Sequence, residues 1–192
     1  MTAATWDAVH DGREAFRACL RAMCEPGRPV PAPPRAGLAS DPLRDAAAAV
    51  LLGLLDVGVG LCVVGDAAAR ELGDELLRRT GAAPAPLCDA DFVLVAGAAA
   101  GAGGAAAEAR RGSALRPEAG ATVVYAGGWA PVVAVLEGPG LEAPAPVSLA
   151  LPPGELELLA AAAAQPPAGV DAFVLSAAGL TALPRSIARS AA

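Results

Sequence analysis

Lysine is missing altogether, and all 14 basic residues of the 192 are arginine. That absence excludes Schiff-base chemistry on carbonyl substrates or pyridoxal phosphate, which needs a lysine amine. It also excludes a GxxxxGK[ST] phosphate loop. Histidine occurs once, at His10, so any serine or cysteine nucleophile would have a single possible imidazole base. No GxSxG elbow, HExxH pair or DxDxDG loop accompanies it, and the sequence carries no recognisable catalytic set and no metal-ligand spacing. Aromatic residues are scarce, 3% against 55% hydrophobic residues, so the core has to be built from Ala, Val and Leu. An excess of positive charge is lacking too. Fourteen arginines against 20 acids leave a net charge of -6, which speaks against a protein that tracks nucleic-acid phosphates. One or two local arginines remain able to hold a small anion or an acidic surface.

Cys19, Cys24, Cys62 and Cys88 contain no CxxC pair, and no signal peptide is read at the amino terminus. They are expected as reduced thiols of a cytoplasmic protein, packed like small hydrophobes. The run Ala46 to Val64 has nearly the length of a membrane span, but Asp56 lies within it, Gly58 and Gly60 interrupt it, and no positive cluster flanks it. A buried helix followed by a buried strand accounts for it, with no membrane contact.

The chain reads as a single domain over 1–192. A helix is expected from Asp11 to Cys24, with Asp11 and Glu14 at capping-box spacing and Pro26-Gly27 as its stop. Ala15, Phe16, Cys19, Leu20 and Met23 form its core stripe, and Arg13, Arg17 and Arg21 line another side. That arginine row is either a solvated face or a contact to an anion or acidic partner. Residues 28–40 carry four prolines and read as an extended connector lying over the body. Ser40 or Asp41 then caps a helix to about Leu55, Val59 to Val64 is a strand, Ala67 to Arg79 a helix and Phe92 to Ala96 a strand. Val123 to Tyr125 and Val132 to Leu136 read as a hairpin-like pair across Ala126-Gly127-Gly128. Glu155 to Ala164 reads as a helix, and Phe173 to Ser176 with Thr181 to Leu183 as closing strands. The fold class is α/β: a three-layer domain with a mixed, mostly parallel sheet.

Gly101 to Ala106 satisfies GxGxxA after a strand, but this composition produces such matches easily, and no acidic residue ends a following strand at the required distance. Gly112 to Thr122, GSALRPEAGAT, is more informative. Pro117 restricts Arg116 to extended geometry, Glu118 and Ala119 complete a turn, Gly120 offers a position free to take positive φ, and Thr122 enters a strand. Arg116, Glu118 and the Thr122 hydroxyl are then expected together at a sheet end. They either hold a polar ligand or partner, or serve the turn itself. Gly138-Pro139-Gly140 reads as a turn after a strand, Gly169-Val170-Asp171 leads into one, and Leu183-Pro184-Arg185 ends one with a held arginine.

Phe16-Arg17-x-x-Leu20-x-Ala22-Met23-x-x-Pro26-Gly27, Gly112 with Pro117 to Thr122, Leu136-x-Gly138-Pro139-Gly140, Gly169-Val170-Asp171 and Leu183-Pro184-Arg185 together resemble the PhnH family in order and spacing. The resemblance implies a subunit of the bacterial carbon-phosphorus lyase system for organic phosphonates, acting with the G, I, J and L proteins. It implies support for moving the ribose 5-triphosphate of ATP onto a phosphonate with release of adenine, through assembly or binding and not through catalysis of its own. The alternative is an enzyme subunit whose site is completed at an interface and whose arginines bind phosphonate or nucleotide. It further implies the large-domain fold of pyridoxal phosphate transferases without the cofactor, a homodimer in isolation, and Arg17, Glu118, Gly120, Thr122 and Arg185 as ligand or partner contacts, to which the reading of the turn itself adds Arg116. Pro26, Gly27, Gly138, Pro139 and Gly140 would be structural.

Overall fold

The computed structural model describes residues 6–97 and 103–192. Helix α1 (His10–Cys24) is followed by α2 (Pro42–Leu52), β1 (Gly60–Gly65), α3 (Ala67–Thr80), the two-residue β2 (Ala83–Pro84) and β3 (Phe92–Ala96). Next come α4 (Ala105–Glu108), a 3-10 turn (Pro117–Ala119), β4 (Thr122–Ala126), β5 (Pro131–Glu137), β6 (Ala145–Ala150), α5 (Glu155–Ala162), β7 (Asp171–Ser176), β8 (Gly179–Leu183) and β9 (Ala188–Ala191).

Six strands form one sheet in the order β2-β1-β3-β4-β7-β8, parallel except for β8, which turns back antiparallel on β7. The other three, β6-β5-β9, form a separate antiparallel sheet. The α/β class with a mixed, mostly parallel sheet is therefore as read from the sequence, and the second sheet is an addition. Alternation along each central strand divides the core: Leu94, Val124 and Phe173 pack on one side with α1, α2 and α3. Val93, Val95, Val123, Tyr125 and Val174 face the other side, which α4, α5 and the small sheet cover.

Local chemistry explains most of the boundaries. Asp41 caps α2, accepting from Leu43 and Arg44 amides with Pro42 at the first turn, and Gly81 closes α3 in the left-handed region at φ 73°. The proline-rich connector lies against the edge of the central sheet, where Val30 and Leu180 exchange backbone hydrogen bonds of 2.9 Å each way. Buried Asp45 holds its far end by accepting from Leu38 N at 2.7 Å and Ala39 N at 3.1 Å. An exposed strand edge is thereby covered.

Three expectations change. The cap of α1 is not an Asp11–Glu14 box: Asp7 accepts from Val9 N and His10 N, both at 2.9 Å, and Asp11 reaches back to Asp7 N. The helix turn that needs capping begins a few residues earlier than the pattern indicated. Ala15 and Cys19 are buried as expected, but Phe16 and Leu20 are 50% and 54% exposed, because Ala22 and not the larger side chains completes the packed face. Finally, β4 and β5 do not pair. Both edges of β4 are occupied by β3 and β7, so no edge is left for a hairpin partner, and β5 crosses into the small sheet. Gly127, whose bare Cα lies against the Trp129 ring, makes that turn.

Candidate functional site

The PEAGAT segment lies at the amino end of the parallel sheet, where Thr122 opens β4 between Phe92 and Asp171. Two arginine clamps meet on it. From one side, the Arg185 guanidinium grips Asp171, with Nε to Oδ2 at 3.0 Å, and donates to the carbonyls of Pro117 and, at 3.4 Å, Gly120. The Arg185 amide also donates to Asp171 Oδ1 at 2.7 Å. Both side chains are 19% exposed. From the other side, Arg110 donates to the Ala119 carbonyl and to Asp91 Oδ1, while Asp91 Oδ2 accepts from Gly60 N at 2.7 Å. Backbone bonds from Ala121 N to Arg110 O, Gly169 N to Arg111 O and Asp171 N to Ala121 O close the knot.

Gly120 is needed here for space and not for its backbone freedom. Its φ is -67°, which any residue adopts, so the expected positive φ is not used there. A Cβ at that position would run into the Arg185 guanidinium and the Gly169 carbonyl. The positive φ belongs to Gly112, at 69°.

What remains outside the clamps is a small display. Arg116 and Glu118 form a 3.5 Å ion pair while 77% and 70% exposed, and Leu115 beside them is 94% exposed. A hollow of about 420 Å³ adjoins them, lined by Pro117, Glu118, Pro166, Pro167, Arg185 and Ser186. Thr122 is half-buried and does not line this hollow. Of the sequence-derived residues, Arg116, Glu118, Gly120 and Arg185 are therefore gathered in one place, and Arg17 lies elsewhere, on α1.

The structural motif residues form a second knot. Pro26 and Gly27 are buried after α1, and a Cβ on Gly27 would meet Leu136 Cδ1 at 2.6 Å and Val147 Cγ1 at 2.7 Å. Gly140, at φ 89°, faces Pro26 with 3.1 Å to the position of a Cβ. Gly138-Pro139-Gly140 thus seats the α1 stop against the small sheet. It follows the antiparallel strand β5, as the turn read from the sequence.

Of the GxGxxA match, Gly101 and Ala102 lie outside the described residues. The Gly104 and Ala106 amides, which a pyrophosphate would need, are taken by the buried Glu155 carboxylate at 2.5 and 2.8 Å. Glu155 also accepts from the Tyr125 hydroxyl at 2.6 Å, and burial followed by that nearby charge raises the phenol well above its ordinary value. Arg189 is buried too, and desolvation lowers its guanidinium to about 10. Sequence reasoning missed Asp91, Arg110, Glu155 and Arg189 as organising groups. Asp91, Arg110 and Glu155 meet partners up to 51 residues away, beyond any local pattern, whereas Arg189 donates to the nearby carbonyls of Ile187 and Pro184.

Residues 3–190 match the family described as bacterial phosphonate metabolism protein (PhnH). The chain belongs to the PhnH family. No curated protein matches it. Within this PhnH chain, the segments that carried the sequence resemblance come together in two knots. PEAGAT meets Gly169-Val170-Asp171 and Arg185, and Pro26-Gly27 meets Gly138-Pro139-Gly140. Family membership places the protein in bacterial phosphonate metabolism. Among the described residues, no group of three or more His, Cys, Asp or Glu side chains is arranged to hold a metal ion, and no helix is long and apolar enough to cross a membrane.

Proposed function

We propose that this protein is a non-catalytic binding subunit of the carbon-phosphorus lyase system, supporting transfer of the ribose 5-triphosphate of ATP to a phosphonate with loss of adenine. The observation that carries the reading is the state of the charged groups around PEAGAT. Arg110 and Arg185 are engaged by carboxylates and backbone carbonyls of their own chain, which commits both guanidinium groups to the fold and not to a reacting ligand. Leu115, Arg116 and Glu118 project from this rigid base as a contact surface. The partners in this reading are the G, I, J and L proteins, the isolated protein is a homodimer, and the setting is the cytoplasm, in keeping with four cysteines that form no disulfide.

The same reading keeps the scaffold that the family resemblance implies, the large domain of pyridoxal phosphate transferases. Without a lysine the chain has no residue to hold that cofactor as an imine, so its residues do not fit the group and no step runs through it. Incubation of the purified protein with ATP and methylphosphonate should release no adenine. Release proportional to protein would overturn the non-catalytic reading.

A second reading is favoured by one observation: among the described residues the Arg116 guanidinium is held by one exposed 3.5 Å ion pair, able to exchange Glu118 for a phosphonate or phosphate oxygen. Here the site is completed by another subunit, and Arg116→Ala should abolish turnover by the reconstituted assembly while leaving its composition intact. If the subunit is lost from the assembly instead, Arg116 is a docking residue.

A further inference from the structure

Helix α1 presents an unusual outer face. At about 100° per residue, Phe16 and Leu20 fall within about 40° of each other, and Val9 just before the helix lines up with them. All three are large and apolar, and they are 50%, 54% and 75% exposed. The inner face of the same helix is already satisfied by Ala15, Cys19 and Ala22, so the outer stripe is not a poorly packed core face. Immediately beside it run Arg13, Arg17 and Arg21. Arg13 leans on Glu14 at 3.2 Å, whereas Arg17 and Arg21 are exposed and take part in no ion pair among the described residues. Beyond the arginines the surface is concave: a trough of about 420 Å³ separates α1 from the proline connector, lined by Glu14, Arg17, Ala18, Arg21 and residues 30–34.

We propose that this face is a docking site for an acidic segment of a partner protein. The segment sets one or two apolar side chains on Phe16 and Leu20 and aims carboxylates at Arg17 and Arg21. Charge selects the occupant. On a chain of net charge -6, two unpaired arginines beside an apolar stripe form a local positive island that an acidic ligand complements. A second copy meeting this face about a two-fold axis would bring the same arginine ridge against itself, a like-charge juxtaposition that disfavours self-pairing. The apolar stripe supplies affinity and the arginines supply orientation and encounter rate. The inference deepens the partner-binding reading above, on which it rests, by giving that binding a surface and a chemistry.

The test is co-expression of the chain with the G, I, J and L proteins of its own phosphonate system, followed by native mass spectrometry and titration of the purified components. Two variants are compared with wild type, Phe16→Ser with Leu20→Ser, and Arg17→Glu with Arg21→Glu. All four positions are exposed, so both variants should unfold at close to the wild-type temperature. Each should weaken association by at least ~30-fold, the scale of a lost interface anchor. The wild-type association should weaken as salt is raised, which keeps the test valid if one variant folds poorly.

Assembly of both variants within ~3-fold of wild type would overturn this inference while leaving the partner-binding reading intact. So would loss of self-association with assembly unaffected, which would assign the face to a second copy. Binding of the wild-type protein to phosphatidylserine vesicles, lost in both variants, would assign it to a membrane surface and overturn it as well. A wild-type chain that joins none of the four proteins fails the partner-binding reading itself, and this inference with it.

Discussion

The amino end of the parallel sheet and the outer face of α1 both carry arginines, and they use them in opposite ways. Around PEAGAT, Arg110 and Arg185 are drawn inward, each to one carboxylate and to carbonyls of one turn. On α1, Arg17 and Arg21 stand clear of ion pairs among the described residues, beside two exposed apolar side chains. The difference teaches that a sequence signature and a contact surface are separable. PEAGAT is recognisable because its residues fit a tight internal knot, while Leu115, Arg116 and Glu118 at its rim are among those exposed to meet something else.

The strongest way to break this contrast is to open the knot. Arg185→Ala leaves Asp171, 19% exposed, without its guanidinium and frees the carbonyls of Pro117 and Gly120, so it should cost about 3–5 kcal/mol in urea unfolding. A loss below about 1 kcal/mol, within the range of an exposed pair, would make Arg185 a surface residue available to ligand. Gly120→Ala comes next. Its backbone conformation is permissive, so the cost arises from overlap with Arg185 and Gly169 alone and should be about 1–3 kcal/mol. Rescue by the double variant Gly120→Ala with Arg185→Ala, compared with the sum of the two, would confirm the overlap.

The α1 face should behave in the reverse manner. Phe16→Ser with Leu20→Ser should alter stability by no more than about 0.5 kcal/mol per site in the same unfolding measurement, as for surface positions, while removing partner binding. A large loss of stability would mean the stripe is core.

The smallest effect is expected at the opposite end of the sheet, where the Arg44 hydrogen bond, with capping of the Ala69 amide, holds Asp66 below the 3.8 of an unperturbed aspartate. A lowered folded pKa stabilises above 3.8, and that contribution is lost as pH falls through the folded value. Asp66→Asn should therefore make the acid limb of the stability profile shallower below pH 3.8 and leave the neutral region free of any pH dependence from this site.

Periodicity and caps were enough to read α3, β1, β3, β7 and β8 in the sequence, because their signals lie within each segment: apolar runs for the central strands, Gly81 after the last turn of α3. The small sheet was not legible. Its β6 contains Pro146 and polar Ser148, and its β9 is only four residues long, so both depend on β5 for their pairing. The site was half legible. The turn at Pro117 announced itself through proline and glycine, whereas Asp91 and Arg110 became clamps only through partners brought close by the fold. Phe16 and Leu20 were misread because helical spacing marks an apolar stripe without saying whether the protein itself or a partner covers it.

Hydrogen exchange of the wild-type protein, alone and within the assembly, tests the division between knot and face most directly. Amides of α1 and of residues 115–119 should slow on assembly, while those of Thr122, Asp171 and Arg185, already bonded within the chain, should be unchanged. Unaltered exchange in α1, with new protection confined to other surfaces, would contradict it.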